Sequence, residues 1–189
     1  MRVFKDPDVV GSPVFHYVRF CVILFVFYLL ISATLHIKFV IIGLLSCFVV
    51  GLVCMPLFMI EDRDGKKHFL LDVSILKFLA YMVWLFKELV MANIDVAKTV
   101  WKSGLPIHPE LIRFQVDWKN PIAAALLANS ITLTPGTITL SFTKEGVFEI
   151  HALTPGAAQG IIDGGMLRKV AGLYHESEDF KVLEVQEKS

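Results

Sequence analysis

Two long apolar runs lie close together in the first third of the chain. Residues 20–35 (FCVILFVFYLLISATL) and 39–60 (FVIIGLLSCFVVGLVCMPLFMI) contain no Asp, Glu, Lys or Arg. A helix that spans a bilayer needs roughly 20 predominantly apolar residues, and about 17 are enough. The second run reaches this length alone, whereas the first needs its neighbours up to Tyr17 and His36 as interfacial ends. The pattern therefore predicts a transmembrane hairpin with spans at about residues 17–36 and 39–60.

A third apolar stretch, at about residues 71–102, differs because charged side chains recur through it. At 100° per residue, six of them fall within about a 100° sector of a helix, and apolar side chains such as Phe78, Met82 and Phe86 occupy the opposite side. A long stripe of this kind, rich in lysine, is typical of a helix that lies in the membrane interface with its lysines extended toward water. We therefore predict an amphipathic interfacial helix over residues 69–104. The six charged residues are Lys77, Lys87, Glu88, Asp95, Lys98 and Lys102.

An alternative interpretation makes this stretch a third span, at about residues 73–92. Lys77 and Glu88 would then be buried on one face of that span. Ionisable groups inside a membrane are functional candidates, so this alternative predicts a proton relay. Two spans are favoured over three, because an interfacial helix leaves its polar stripe in water. It also keeps the following domain on the same side of the membrane as the basic loop at residues 61–68.

Residues 105–189 have the alternating pattern of a small water-soluble domain. Alternation at residues 111–118 places Ile112, Phe114 and Val116, with Trp118, on one face of a half-buried strand. Residues 137–143 and 147–152 alternate in the same way around the turn Lys144-Glu145-Gly146, which predicts a hairpin of two further strands.

Two cap sequences predict the helices of this domain. Asn120-Pro121 and Thr154-Pro155 each place a favoured N-cap residue before a proline at the first helical position. The second helix is expected to run to about residue 173, with a weaker strand at residues 180–185 and an unassigned charged tail. The order β-α-β-β-α, with this possible final strand, predicts a ferredoxin-like α/β sandwich. The fold class is therefore a membrane α protein with an added α/β domain.

The orientation of the hairpin follows from basic residues near the ends of its spans, since cytoplasmic ends carry an excess of Lys and Arg. The N-terminal segment and the polar loop at residues 61–68 carry several, whereas the connection between the spans carries Lys38 alone. We therefore expect a multi-pass protein of the cell membrane whose N-terminus, 61–68 loop and C-terminal domain face the cytoplasm. The basic residues used are Arg2, Lys5, Arg19, Arg63, Lys66 and Lys67.

Composition and charge narrow the function further. Hydrophobic residues make up 55% of the chain, whereas soluble domains contain about 45–50%. Eighteen basic and 18 acidic residues balance to zero, which leaves no basic field to attract nucleic acid. The cysteines lie inside apolar runs without CxxC spacing, so we expect neither a disulfide framework nor a metal site.

No motif of catalytic or cofactor chemistry stands out. The sequence contains no GxxxxGK[ST], GxGxxG or GxSxG, and its six histidines form no ligand motif such as HxxxH. The two apolar runs hold no ionisable residue, whereas moving a cation or proton across a bilayer needs polar groups at depth. We therefore expect a protein without a cofactor that is docked on partners and is not an ion path by itself.

A further set of motifs is specific to a known family. Lys87-Glu88-Leu89 is followed by Ala92-Asn93, by Val96 and Lys98, by Ile107-x-Pro109 and by residues 131–137 (ITLTPGT). In this order and spacing, these motifs resemble the E subunit of the Mrp/Mnh-type multisubunit monovalent cation/proton antiporter. The resemblance covers roughly residues 70–155, and the hydrophobic hairpin before it agrees in character only.

The resemblance implies a role in a large membrane assembly that exchanges protons or sodium for the other ion. In that family the E subunit is an accessory or assembly component, not an enzyme, and larger subunits carry the ion paths. Its partners are other membrane subunits and the lipid bilayer. The same subunit type is also found in related membrane-bound hydrogenases and sulfur-reducing complexes, so the host complex is left open. A membrane-tethered binding domain that acts alone is a third possibility.

Six residues become candidates for interface or structural roles. Lys87, Glu88 and Asn93 would anchor the long helix at the interface or to a partner. Thr134, Pro135 and Gly136 would form the rigid turn that positions the domain. A purely local role is open for each, because charges on a helix are commonly solvated and Thr-Pro-Gly is a turn and cap sequence. The candidates are Lys87, Glu88, Asn93, Thr134, Pro135 and Gly136.

Overall fold

The computed structural model describes residues 9–70, 73–102 and 107–187. Contacts divide the chain into two compact units, Met1–Asp72 and Val73–Ser189. The basic residues Arg2 and Lys5, the residues at 103–106 and the last two residues of the charged tail lie outside the described residues.

Two apolar helices dominate the first unit. Helix α1 spans Pro13–Ser32 and helix α2 spans Ile37–Cys54, followed by a 3₁₀ turn at Met55–Phe58. The segments Pro13–Ser32 and Ile37–Phe58 are long and apolar enough to cross a membrane, with mean hydropathies of 2.3 and 2.6. The first helix begins and ends earlier than predicted, because Pro13 suits a first helical position and Ala33 adopts the left-handed conformation that ends the helix.

The two helices pack through a stripe of small residues. Gly43, Cys47 and Gly51 are the buried residues of α2, and their spacing of four places them on one face. A Cβ added at Gly43 would come within 2.1 Å of the Tyr28 ring of α1, so only glycine admits that ring. The Tyr17 hydroxyl donates a 2.8 Å hydrogen bond to a backbone carbonyl of α2. Small residues at such spacing allow close helix approach.

The second helix is shorter than the predicted span. It ends at Cys54, because Pro56 cannot donate the next helical hydrogen bond, and the chain continues as a 3₁₀ turn. Strands β1 (Met59–Glu61) and β2 (Lys67–Phe69) then form an antiparallel hairpin across the loop that the sequence predicted.

The second unit contains a long helix and an α/β domain. Helix α3 occupies 27 residues and begins after Ser74 at the N-cap position. The domain follows the predicted order of elements, and its final strand is present and longer than expected. The elements are α3 (Ile75–Trp101), β3 (Glu110–Val116), α4 (Pro121–Leu133), β4 (Thr137–Phe142), β5 (Val147–Ala152), α5 (Pro155–Ile162), α6 (Gly165–Tyr174) and β6 (Phe180–Glu187).

The four strands form one antiparallel sheet in the order β4-β5-β3-β6. One face of β3 is fully buried, with Ile112, Phe114 and Val116 at 0%, 2% and 1% exposure, as the alternation predicted. These side chains share a core with residues of α4, α5 and α6. On the opposite face, Arg113 Nη2 donates a 2.8 Å hydrogen bond to Glu149.

The prediction of one continuous helix from residue 155 to about 173 is wrong. Gly164 has φ +66° and separates α5 from α6. A Cβ at this position would lie 2.5 Å from the ring of Phe180, which packs there from β6. The helix breaks because the last strand needs that space, a contact that local sequence does not show.

Candidate functional site

Helix α3 is packed against the domain along a narrow strip of its surface. Tyr81 and Leu85 are buried, with 4% and 5% exposure, and join the core of the domain. Trp84 packs against the same core and is partly buried. Tyr81 and Leu85 fall between the charged sector and the apolar sector that the sequence predicted, whereas Trp84 falls within the charged sector.

A buried hydrogen bond connects α3 to the domain. The hydroxyl oxygens of Tyr81 and Ser130 lie 2.6 Å apart, and Ser130 of α4 is only 1% exposed. Burial raises the pKa of Tyr81 above its ordinary value of 10.0, and the hydrogen bond with Ser130 acts in the opposite direction. Burial also raises the pKa of Tyr174 in α6.

A broad apolar face of α3 is left exposed. Its side chains recur at helical spacing and occupy about a 120° sector. Burial of this much apolar surface is favourable, so an exposed stripe of this width marks a contact with lipid or protein. The apolar face of α3 consists of Ile75 (52% exposed), Leu76 (80%), Leu79 (55%), Met82 (43%), Val83 (73%), Phe86 (68%) and Val90 (41%).

Lys77, Lys87 and Glu88 lie outside this apolar face, whereas Asn93 falls in the same angular sector as the face, five turns after Ile75. Lys77, Lys87 and Asn93 are exposed, and Glu88 is half-buried. The Asn93 amide donates a 2.7 Å hydrogen bond to the carbonyl of Leu89 in its own helix. With a rise of about 1.5 Å per residue, Lys77 and Glu88 are separated by about 16 Å along the helix, so they do not contact each other directly.

The predicted turn at Thr134, Pro135 and Gly136 lies at the end of α4. Thr134 Oγ1 donates to the carbonyl of Ser130 at 2.9 Å. Gly136 has φ +88°, and a Cβ there would lie 3.3 Å from Val96 Cγ2. The turn therefore touches α3 in its C-terminal half, and the close approach requires a glycine.

The Leu-Thr-Pro-Gly sequence occurs a second time at residues 153–156 and meets the first copy. The Leu153 amide donates to the Gly136 carbonyl at 2.8 Å. Thr154 Oγ1 accepts a 3.2 Å hydrogen bond from the Ala157 amide and so caps α5. One copy ends α4 and the other begins α5, so the hydrogen bond between them ties the end of one helix to the start of the other.

Residues that the motifs did not identify complete the surface of α3. Trp84, Arg168 and Lys169 lie together where α3 meets α6. Tyr81 could have been found from its border position on the helical wheel. Arg168 and Lys169 could not, because only the tertiary fold brings α6 to α3.

Comparison with known protein families shows which family the chain belongs to. Residues 21–171 match the model of a family described as Na+/H+ ion antiporter subunit (MNHE). The chain belongs to this family. The motifs of α3 and the ITLTPGT turn predicted a resemblance to the E subunit. The family match confirms this prediction.

Individual relatives agree with the family match. The E1 subunit of the Na(+)/H(+) antiporter of Staphylococcus haemolyticus is 37% identical over 103 residues, which are 54% of this chain and 62% of the relative. The E subunit of the Na(+)/H(+) antiporter of Alkalihalophilus pseudofirmus is 39% identical over 69 residues, 36% of this chain and 44% of the relative. The chain therefore matches less than two thirds of the length of these curated relatives.

One solved structure is similar over most of both chains. It belongs to the membrane-bound sulfane sulfur reductase (MBS), an archaeal respiratory membrane complex. The TM-score is 0.59 at 30% identity, with 77% of this chain and 91% of that chain covered. The family and this neighbour both point to subunits of multisubunit membrane complexes.

We expect Gly136→Ala to lower the stability of the second unit by about 1–2 kcal/mol, because a residue with a Cβ is strained at positive φ. The added methyl group would also press on Val96. Gly160→Ala is the matched control, since a Cβ at Gly160 has no heavy atom within 4 Å and alanine favours a helix by up to about 1 kcal/mol. Unfolding of the full chain in mild detergent, followed by tryptophan fluorescence, measures both. Equal effects of the two substitutions would contradict the assigned role of Gly136.

We expect the second unit to lose stability at alkaline pH partly through Tyr81. Its pKa is raised in the folded state, so its stabilising contribution is complete below pH about 10 and is lost as the pH rises through the folded-state value. Tyr81→Phe should cost about 1 kcal/mol at neutral pH through the lost hydrogen bond and should flatten the alkaline decline. Unfolding midpoints between neutral and alkaline pH test this, with Ser130→Ala as the control that removes the hydrogen bond but keeps the Tyr81 phenol and its alkaline decline. An unchanged decline in Tyr81→Phe would refute the prediction.

Proposed function

We propose that the chain is an accessory subunit of a multisubunit cation (sodium)/proton antiporter or of a related respiratory complex, and is not itself the ion path. The observation that carries the proposal is the apolar face of α3. One strip of this helix is buried in the domain, while seven neighbouring apolar side chains are exposed. A helix with one strip on its own domain and a broad apolar face beyond it is suited to brace that domain on a membrane or on a partner.

The hairpin supports an accessory role. Its two helices pack on each other through small residues of α2 and tyrosines of α1. Most of their remaining surface is exposed and apolar. Because intramembrane transport of ions needs polar groups at depth, we assign this surface to lateral contact with lipid and with the helices of other subunits.

The α/β domain supports a scaffolding role on the cytoplasmic side. Its strand order, with β3 and β5 central and β4 and β6 at the edges, supports the predicted ferredoxin-like sandwich. The basic residues that flank the hairpin favour a cytoplasmic location. In this arrangement α3 lies in the interface, and Lys87 and Glu88 are on the side of water or of a partner, whereas Asn93 continues the sector of the apolar face beyond Val90.

Two host complexes fit this chain. The curated relatives are named as Na(+)/H(+) antiporter subunits, whereas the solved neighbour is part of a sulfane sulfur reductase. We favour the antiporter, because the family description and the two named curated relatives carry that activity. A membrane-bound complex of the sulfur-reducing or hydrogenase type is the alternative host.

Co-purification tests the subunit assignment. An affinity-tagged full chain, extracted from its native membrane in mild detergent, should carry several polytopic membrane subunits in fixed ratio. Phe86→Asn in the apolar face should lower their yield several-fold, because an amide is costly to bury there. Leu183→Asn replaces another exposed apolar side chain, at 45% exposure on β6, and should leave the yield unchanged. A stable monomer without polytopic partners would refute the assignment.

Cysteine labelling separates the accessory role from a relay through a third span. In a chain whose native cysteines are replaced, Lys77→Cys should react rapidly with a membrane-impermeant maleimide from the cytoplasmic side. Phe86→Cys is the matched position and should be protected in membranes but not in detergent. Protection of position 77 from both sides of the membrane would instead support burial of Lys77 and the relay.

A further inference from the structure

A cleft of about 360 Å³ lies between α3 and α6, within the second unit. Its polar and aromatic lining comes from Lys77, Tyr81 and Trp84 of α3 and from Arg168 and Lys169 of α6, with Leu173 as part of its apolar wall. Its volume is in the range of sites that hold small ligands or parts of larger ones.

The charge of the cleft is entirely positive. Among the described residues that line it, three are cationic and none carries a carboxylate. Among the described residues, none of the three forms an ion pair within 4 Å, in contrast to Arg113 and Lys98 of the same unit. Like charges brought together without a counter-ion repel each other, so the cleft is electrostatically suited to an anion.

Two contacts orient the cations. The Lys169 ammonium lies 5.9 Å from the centre of the Trp84 ring, a cation–π arrangement. An Arg168 Nη2 donates to the backbone carbonyl of Asp163, which leaves its other donors available. Arginine and lysine together on the rim of a partly apolar cleft match an anionic oxygen cluster attached to a less polar group.

We propose that this cleft binds a phosphate-bearing anion, and that its source is the headgroup of an anionic phospholipid. The choice of source rests on the proposed function, in which α3 lies in the membrane interface. An interfacial helix sinks its apolar face about 5–10 Å into the headgroup boundary and is about 10 Å across, so its polar side reaches the level of the headgroups. Basic pockets at this level bind anionic lipid headgroups.

Lipid adducts on the purified full chain test the proposal. In native mass spectrometry from mild detergent, phosphatidylglycerol should bind in preference to phosphatidylcholine. Lys77→Gln with Lys169→Gln should weaken this binding at least about tenfold, from the usual contribution of a basic residue near anionic lipid. The matched control is Lys102→Gln with Lys181→Gln, which removes the same charge from exposed positions of the second unit outside the cleft and should retain the preference.

Three results of the adduct experiment would overturn the proposal. Equal loss in both double variants, or no loss in either, overturns the proposal, because binding would then be diffuse or elsewhere. Lys77→Arg with Lys169→Arg should restore binding, which separates lost charge from lost folding. If it does not, while unfolding midpoints are unchanged, the proposal is also overturned.

Inorganic phosphate distinguishes the two sources of the ligand. Adducts of phosphatidylglycerol that persist in millimolar phosphate support the headgroup, whereas displacement that depends on Lys77 and Lys169 supports a soluble phosphate compound in the same cleft. The assay contains no other protein of the host complex. If no specific lipid adduct is found, the assignment of the chain as a subunit is unaffected. If co-purification fails, a specific lipid adduct is still valid evidence for binding in the cleft.

Discussion

The hydrogen bond between the hydroxyls of Tyr81 and Ser130 determines how α3 is rotated against the domain. Both groups are almost completely buried, so a different rotation would leave polar atoms without partners at a cost of about 1–3 kcal/mol. With this rotation, Leu85 joins the core and the apolar face is directed away from the domain. The same rotation places Lys77 and Trp84 beside α6. The exposed face and the basic cleft are therefore consequences of one buried contact.

A second constraint holds the C-terminal half of α3. Gly136 brings the turn after α4 close to Val96, and its carbonyl accepts from the Leu153 amide. The long helix is thus tied to the domain at Tyr81 and again at Val96, about four turns later. A helix attached at two points can transmit the position of the domain to whatever covers its apolar face. This rigidity is the physical basis for the bracing role that we propose.

The parts of the fold that depend on local pattern were predicted well. The buried face of β3 follows from alternation, and the caps Asn120 and Thr154 accept hydrogen bonds from backbone amides at the starts of α4 and α5. The motifs around Lys87 and the ITLTPGT turn were enough to identify the family. Such features depend on residues a few positions apart, so they are visible in a linear chain.

Features that depend on distant residues were missed. The break at Gly164 is caused by Phe180, which lies on another element, β6. The ends of α1 and α2 also differ from the predicted spans, although their causes, the helix caps and Pro56, are local. The small residues Gly43, Cys47 and Gly51 were readable as a packing stripe, because their spacing of four is a local signal for helix contact. The sequence does not show that Gly43 packs against the Tyr28 ring of α1.

By itself the sequence determined the two apolar segments, the amphipathic character of α3, the order of the strands along the chain and the family. These properties are set by periodicity, capping and motif spacing, which act over short distances. Only the tertiary structure decided which strip of α3 is buried, the order of strands in the sheet, and the meeting of Lys77 with Arg168 and Lys169 around one cleft. The reason is that burial and electrostatic environment arise from residues far apart in the chain, 49 positions for Tyr81 and Ser130 and about ninety for the cations of the cleft, whose proximity depends on the packing of the whole unit.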